Sequence, residues 1–144
     1  VLMIYVDTSA LVALIVNEPG SASVTTWYAA TKSELVSAAC CVTEVASALG
    51  LKQRTAQLDA DQARAAWERF ERLVANDLRL LAVEPIDFHR AALMTLDAAS
   101  GIRAGDALHL ACAERAGAKS LATLDAVMAG NASRVRLKPV PLSP

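Results

Sequence analysis

The sequence lacks an excess of either charge, catalytic histidine motifs, paired cysteines and long apolar runs, and each shortage removes a class of function. Its 14 basic and 15 acidic residues leave a formal net charge of −1, with a pI near 6.1. That balance excludes a generic basic nucleic-acid binder, which carries a basic stripe and a high domain pI. A nucleic acid gripped at one cation-charged site stays open, because a bound cation dominates its local field. The two histidines, His89 and His109, lie in neither an H-E-x-x-H nor a nucleophile-elbow setting. Both read as ordinary helix-face residues, His109 lying three positions beyond Asp106. No Gly-rich phosphate loop of either nucleotide-binding kind is present. Cys40, Cys41 and Cys112 show no C-x-x-C spacing, which removes zinc knuckles and disulfide frameworks. They read as small buried hydrophobes in a reducing, cytoplasmic setting. The longest apolar stretch near the N-terminus, Leu11 to Val16, falls far short of the ~20 residues of a membrane span. No signal-peptide pattern is visible, so export is not expected.

What the chain has is apolar mass. It is 144 residues long, 54% hydrophobic and 20% charged, which excludes disorder and predicts one domain over residues 1–144. A chain of this size buries roughly 68–70% of its unfolded surface. The mean hydropathy of +0.34 also points to a face buried against a partner or a second copy. The alanine-rich helices at Ala22 to Thr31 and Thr43 to Arg54 are the expected interface elements.

Short β-rich runs alternate with helical segments. Met3 to Val6, Leu35 to Ala39, Leu78 to Val83, Ser120 to Thr123 and Val135 to Lys138 read as strands. Between them, Ala10 to Val16, Ala22 to Thr31, Thr43 to Arg54, Leu58 to Asn76, Ile86 to Ser100 and Gly105 to Arg115 read as helices. Crossovers of this length imply a parallel sheet. The expected fold is a three-layer α/β/α domain with about four or five parallel strands. In such sheets, chemistry collects beyond the carboxyl ends of the strands.

Four carboxylates fall at those ends. Asp7 follows the first strand, Glu44 opens the helix after the second, Asp106 opens a later helix, and Asp125 follows the strand at Ser120 to Thr123. Each alone is explained as a helix cap or a first-turn acid. Together they form a set expected to face one sheet edge. Carboxylates gathered so closely repel and raise one another's pKa values, unless a hard cation such as Mg2+ or Mn2+ neutralises them. Such a cation supports hydrolysis of a phosphodiester.

Ile4-Tyr5-Val6-Asp7-Thr8-Ser9-Ala10-Leu11, Thr43-Glu44-Val45-Ala46-Ser47-Ala48-Leu49, Arg103-Ala104-Gly105-Asp106-Ala107-Leu108-His109-Leu110-Ala111 and Thr123-Leu124-Asp125 resemble the four acidic motifs of PIN-domain ribonucleases. Their order and spacing cover essentially the whole chain, in a compact form similar to the VapC toxins of VapBC toxin–antitoxin pairs. The resemblance implies a Mg2+- or Mn2+-dependent endoribonuclease, usually a homodimer, neutralised by a VapB-like antitoxin. By position, Asp7, Glu44 and Asp106 become metal ligands and Asp125 the fourth acidic residue. Thr8 or Ser9 matches the hydroxyl beside the first aspartate, and Thr123 the threonine before the last. The fourth motif departs from the pattern, since Ala126-Val127-Met128 follows Asp125 where relatives often carry an aromatic residue.

With no global positive charge, RNA must be drawn by the cation and a local basic rim. Arg103 is the best placed member, with Lys52, Arg54 and Arg134 as further candidates. Two other classes are weighed. One is a catalytically inactive PIN-fold module that binds RNA or protein, against which the intact acidic set argues. The other is a small metal-dependent phosphatase, which usually carries a second aspartate two residues after the first, where this chain has Ser9.

Overall fold

In a computed structural model describing residues 2–144, five strands form one wholly parallel sheet. In chain order these are β1 (Met3–Val6), β2 (Glu34–Ala38), β3 (Leu78–Leu81), β4 (Ser120–Ala122) and β5 (Lys138–Pro139). Across the sheet they run β3-β2-β1-β4-β5. Tyr5 sits beside Val36 on one side and Leu121 on the other. The chain moves outward from β1 to β3 and then returns to place β4 against the other side of β1. The strand order therefore reverses between β1 and β4, and that reversal opens a crevice at their carboxyl ends.

Alternation along the strands sends side chains to two cores. Ile4, Val6 and Leu35 enter one, with α1 (Thr8–Ile15), α2 (Ser21–Ala30), α3 (Cys41–Arg54) and α4 (Ala60–Asn76). Tyr5, Val36 and Leu121 enter the other, with α5 (Pro85–Leu96), α6 (Ala104–Ala116) and α7 (Ala126–Asn131). This is the expected three-layer α/β/α arrangement with its parallel sheet.

Local chemistry sets the helix ends. Asp59 and Gln62 form a reciprocal capping box at the start of α4, and Phe70 then buries against Trp67, ring centroids 5.2 Å apart. Pro85 starts α5 where its missing N–H costs nothing. Gly117 ends α6 with φ +78°, in the left-handed region that glycine adopts readily. The expected helix from Ile86 to Ser100 instead stops at Leu96, and residues Ala98–Ser100 continue as a 3-10 turn capped by Asp97. The last strand is displaced from Val135–Lys138 to Lys138–Pro139, because Ala132–Val135 form a 3-10 turn.

Helices α5 and α6 are pinned by a forked pair. Arg115 donates from Nε to Asp87 Oδ1 at 2.8 Å and from Nη2 to Oδ2 at 2.9 Å. Asp87 is buried, and the Arg115 hydrogen bonds hold its carboxyl below the usual carboxylate range. A carboxyl so depressed stabilises the fold above its unfolded pKa of about 3.9, and the contribution disappears as pH falls through the folded value. Arg115→Gln should therefore lower stability most at neutral pH. In urea unfolding, its deficit against the parent should shrink as acid protonates Asp87.

Candidate metal centre

Backbone geometry alone brings the four carboxylates to the crevice. Asp7 leaves β1 and caps α1, its Oδ1 accepting the Ala10 N–H at 3.0 Å. Asp125 follows β4 and caps α7, accepting the Met128 N–H at 3.0 Å. Glu44 and Asp106 stand in the first turns of α3 and α6. Two come from one helical layer and two from the other, so the site spans the sheet edge. Asp106 registers the assembly: burial raises its carboxyl above the usual range, and the Asp125, Asp7 and Glu44 charges push it further, against a lowering effect of His109.

A hydroxyl clasp holds Asp7. Ser9 donates to its Oδ1 at 2.7 Å and Thr123 to its Oδ2 at 2.5 Å. Ser9 Oγ in turn accepts the Leu124 N–H at 2.9 Å, and Thr123 Oγ1 accepts the Asp125 N–H at 3.0 Å. The loop after β4 is thereby tied to the loop after β1. Asp7 is only 2% exposed, and burial raises its carboxyl despite these donors.

Glu44 is held from both layers. Thr8 donates to its Oε1 at 2.6 Å, and His109 Nε2 meets the same oxygen at 2.5 Å. For a neutral ring, the Glu44 carboxylate, which can only accept, assigns the hydrogen to Nε2. Tyr5 Oη accepts the Ala38 N–H at 2.9 Å, and its own hydrogen points to His109 Nδ1 at 2.5 Å. Nδ1 is then the acceptor, which leaves Nε2 to carry the hydrogen that it donates to Glu44. Burial favours raising the Glu44 carboxyl, but His109 and Thr8 outweigh it and hold the group below the usual range. Gly105 completes the fit, since a Cβ there would stand 3.2 Å from Glu44 Oε2.

Thr8 and Ser9 both act, on different carboxylates. His109 does more than pack, being 1% exposed and bonded directly to Glu44. Its spacing from Asp106, three residues along one helix, was the available signal. Tyr5 and Cys40 were not singled out by the sequence. Arg103 is exposed and occupies the N-cap position of α6 without a side-chain capping bond. Two expected rim cations are otherwise engaged: Lys52 pairs with Glu18 at 2.6 Å and Arg134 with Asp97 at 2.7 Å.

The donor set fits a hard divalent cation. Mg2+ keeps several of its waters and is commonly held by one or two carboxylates, so the acids need not converge on one point. Among the described residues, the one group of three or more His, Cys, Asp or Glu with ligand atoms within 4.8 Å of one another is Cys40, Glu44 and His109, which Asp7, Asp106 and Asp125 do not join.

Fold and site together define a parallel α/β protein with an acidic centre at its switch point. Residues 4–132 match the PIN domain family, and the chain belongs to that family. Solved structures of similar fold include Mycobacterium tuberculosis VapC20, described as a Sarcin-Ricin loop cleaving toxin. It is 19% identical with a TM-score of 0.70, over 88% of this chain and 93% of that one. FitAcB from Neisseria gonorrhoeae is 19% identical with a TM-score of 0.68, covering 95% and 96% respectively. VapBC2 from Rickettsia felis, bound to a DNA fragment from its promoter, is 14% identical with a TM-score of 0.68, over 98% and 99%. No curated protein sequence matches the chain significantly.

Two outcomes test the geometry. Tyr5→Phe leaves the buried Ala38 N–H without its acceptor and should cost about 1–3 kcal/mol in urea unfolding. Asp106→Asn removes a charge that the folded state tolerates poorly. A raised carboxyl pKa penalises the native state above the unfolded value and not below it. The variant should therefore melt higher than the parent at neutral pH, and the two melting temperatures should converge as pH falls through the carboxylate range.

Proposed function

We propose that residues 1–144 act as one PIN domain, a divalent-cation-dependent endoribonuclease that hydrolyses RNA phosphodiester bonds as the toxin of a type II toxin–antitoxin pair. The observation that carries this reading is the placement of Asp7, Glu44, Asp106 and Asp125 at the starts of α1, α3, α6 and α7, two in each helical layer beside the β1–β4 reversal. Mg2+ or Mn2+ bound by these acids supplies Lewis acidity for the hydrolysis. The protein's own groups do the positioning. Ser9 and Thr123 fix Asp7, and Thr8 and His109 fix the Glu44 oxygen. Arg103, three residues before Asp106, offers a cation to an RNA phosphate at the mouth of the crevice.

The toxin–antitoxin assignment is supported by the neighbours of similar fold, among them VapC20 and the FitAB and VapBC2 complexes with DNA. By that analogy the partner is a VapB-like antitoxin and the working compartment the cytoplasm. No helix among the described residues is long and apolar enough to cross a membrane. A homodimer is supported by apolar exposure on α5, where Ile86, Phe88, Leu93 and Leu96 are 55–79% exposed. Of the two helices expected at the interface, α3 also exposes Leu51, while on α2 Trp27 and Tyr28 pack partly against the core.

Asp106→Asn should abolish RNA cleavage in Mg2+ or Mn2+, and millimolar Mn2+ should raise the melting temperature of the parent more than that of the variant. Arg103→Ala should weaken RNA binding and lower the salt slope by roughly one unit. Cleavage by Asp106→Asn near the parental rate would overturn the assignment. A cation-dependent melting shift in a parent that cleaves no RNA would favour the inactive binding module.

A further inference from the structure

Beside the acidic centre lies a second donor set, of softer chemistry. Cys40 occupies the N-cap position of α3 without a side-chain capping bond, and Glu44 stands four residues later, so both fall on one side of the helix start. His109 reaches the same place from α6. Cys40 Sγ, a Glu44 carboxylate oxygen and a His109 ring nitrogen all lie within 4.8 Å of one another. Thiolate, imidazole and carboxylate are the ligands of tetrahedral Zn2+ sites that keep a fourth position for water.

We propose that Cys40, Glu44 and His109 form a site for a borderline or soft divalent ion, Zn2+ or its analogue Cd2+, which shares Glu44 with the acidic centre.

The proton changes balance. Cys40 loses its thiol proton to solvent on binding. His109 binds the ion through Nε2 as a neutral ring, with its one hydrogen on Nδ1. Nδ1–H then donates to Tyr5 Oη, and the Tyr5 hydrogen must find a new acceptor. The acceptor assigned to it is Ser37 Oγ, which is buried with no hydrogen-bond partner one residue before Ala38. Tyr5 Oη retains the Ala38 N–H throughout and stays within its capacity of two acceptors and one donor. Mg2+, which prefers oxygen ligands, does not take up the Cys40 sulfur, whereas a thiophilic ion does. The selectivity of the two sites follows.

Cd2+ added to metal-free protein should bind one ion per chain, with thiolate-to-metal charge-transfer absorption in the ultraviolet. Cys40→Ser should lose that absorption while melting like the parent without metal, and His109→Gln should weaken Cd2+ binding at least roughly tenfold. No absorption in the parent, or absorption surviving in Cys40→Ser and so arising from Cys41 or Cys112, overturns the site. A second arm rests on the ribonuclease reading. Zn2+ should inhibit Mn2+-supported cleavage by the parent and spare Cys40→Ser, and equal inhibition of both would overturn the sharing of Glu44. The absorption requires no catalysis, so the two readings fail separately.

Discussion

Holding Asp7, Glu44, Asp106 and Asp125 at buried or half-buried helix starts is the constraint around which this structure is arranged. Burial raises the Asp7 and Asp106 carboxyls, and at Asp106 the charges of the other three acids add to it. The fold counters it with positive potential. Every one of the four stands at the N-cap or in the first turn of a helix, α1, α3, α6 or α7, where the helix dipole favours negative charge. The dull explanation of each acid as a cap and the functional explanation of the set are therefore one statement. A helix start is where a sheet of this kind can afford a carboxylate.

The second line of support is hydrogen bonding across the layers. Asp7 and Glu44 belong to one helical layer, Asp106 and His109 to the other, and β1 runs between them. The 2.5 Å contact from His109 to Glu44 and the Thr123 hydroxyl on Asp7 both cross that divide. Site and core share these bonds. Tyr5 illustrates it: its ring fills the core facing α6, while its hydroxyl joins the Ala38 backbone to the His109 ring. This division of labour suits a member of the PIN domain family, whose acids come from distant points in the chain.

Much of this was legible in the order of residues. The run Met3 to Val6 ending in Asp7 announces a buried strand and a cap, and the other acids recur after similar signals. What was not legible depends on distance in the chain. His109 and Glu44 are 65 residues apart, and no local pattern tells a packing histidine from one bonded to a carboxylate. The ion pairs of Lys52 and Arg134, named as rim candidates, were equally hidden, because Glu18 and Asp97 meet them only after folding. Helix α7 escaped notice because six residues ending Gly130-Asn131 carry too little periodicity to read. The short β5 is defined by its partners, pairing with β4 at Ser120 and Leu121.

The position of β1 at the centre of the sheet has a consequence in time. Its two neighbours are β2, made soon afterwards, and β4, made after most of the chain. During synthesis from the N-terminus, Asp7 emerges first, but the Thr123 hydroxyl that fixes it comes 116 residues later. Until Val6 pairs with Ala122, one edge of the central strand is bare and the crevice has a single wall. A nascent chain thus carries the first acids of the centre without the centre itself, which is complete only once synthesis has passed Asp125.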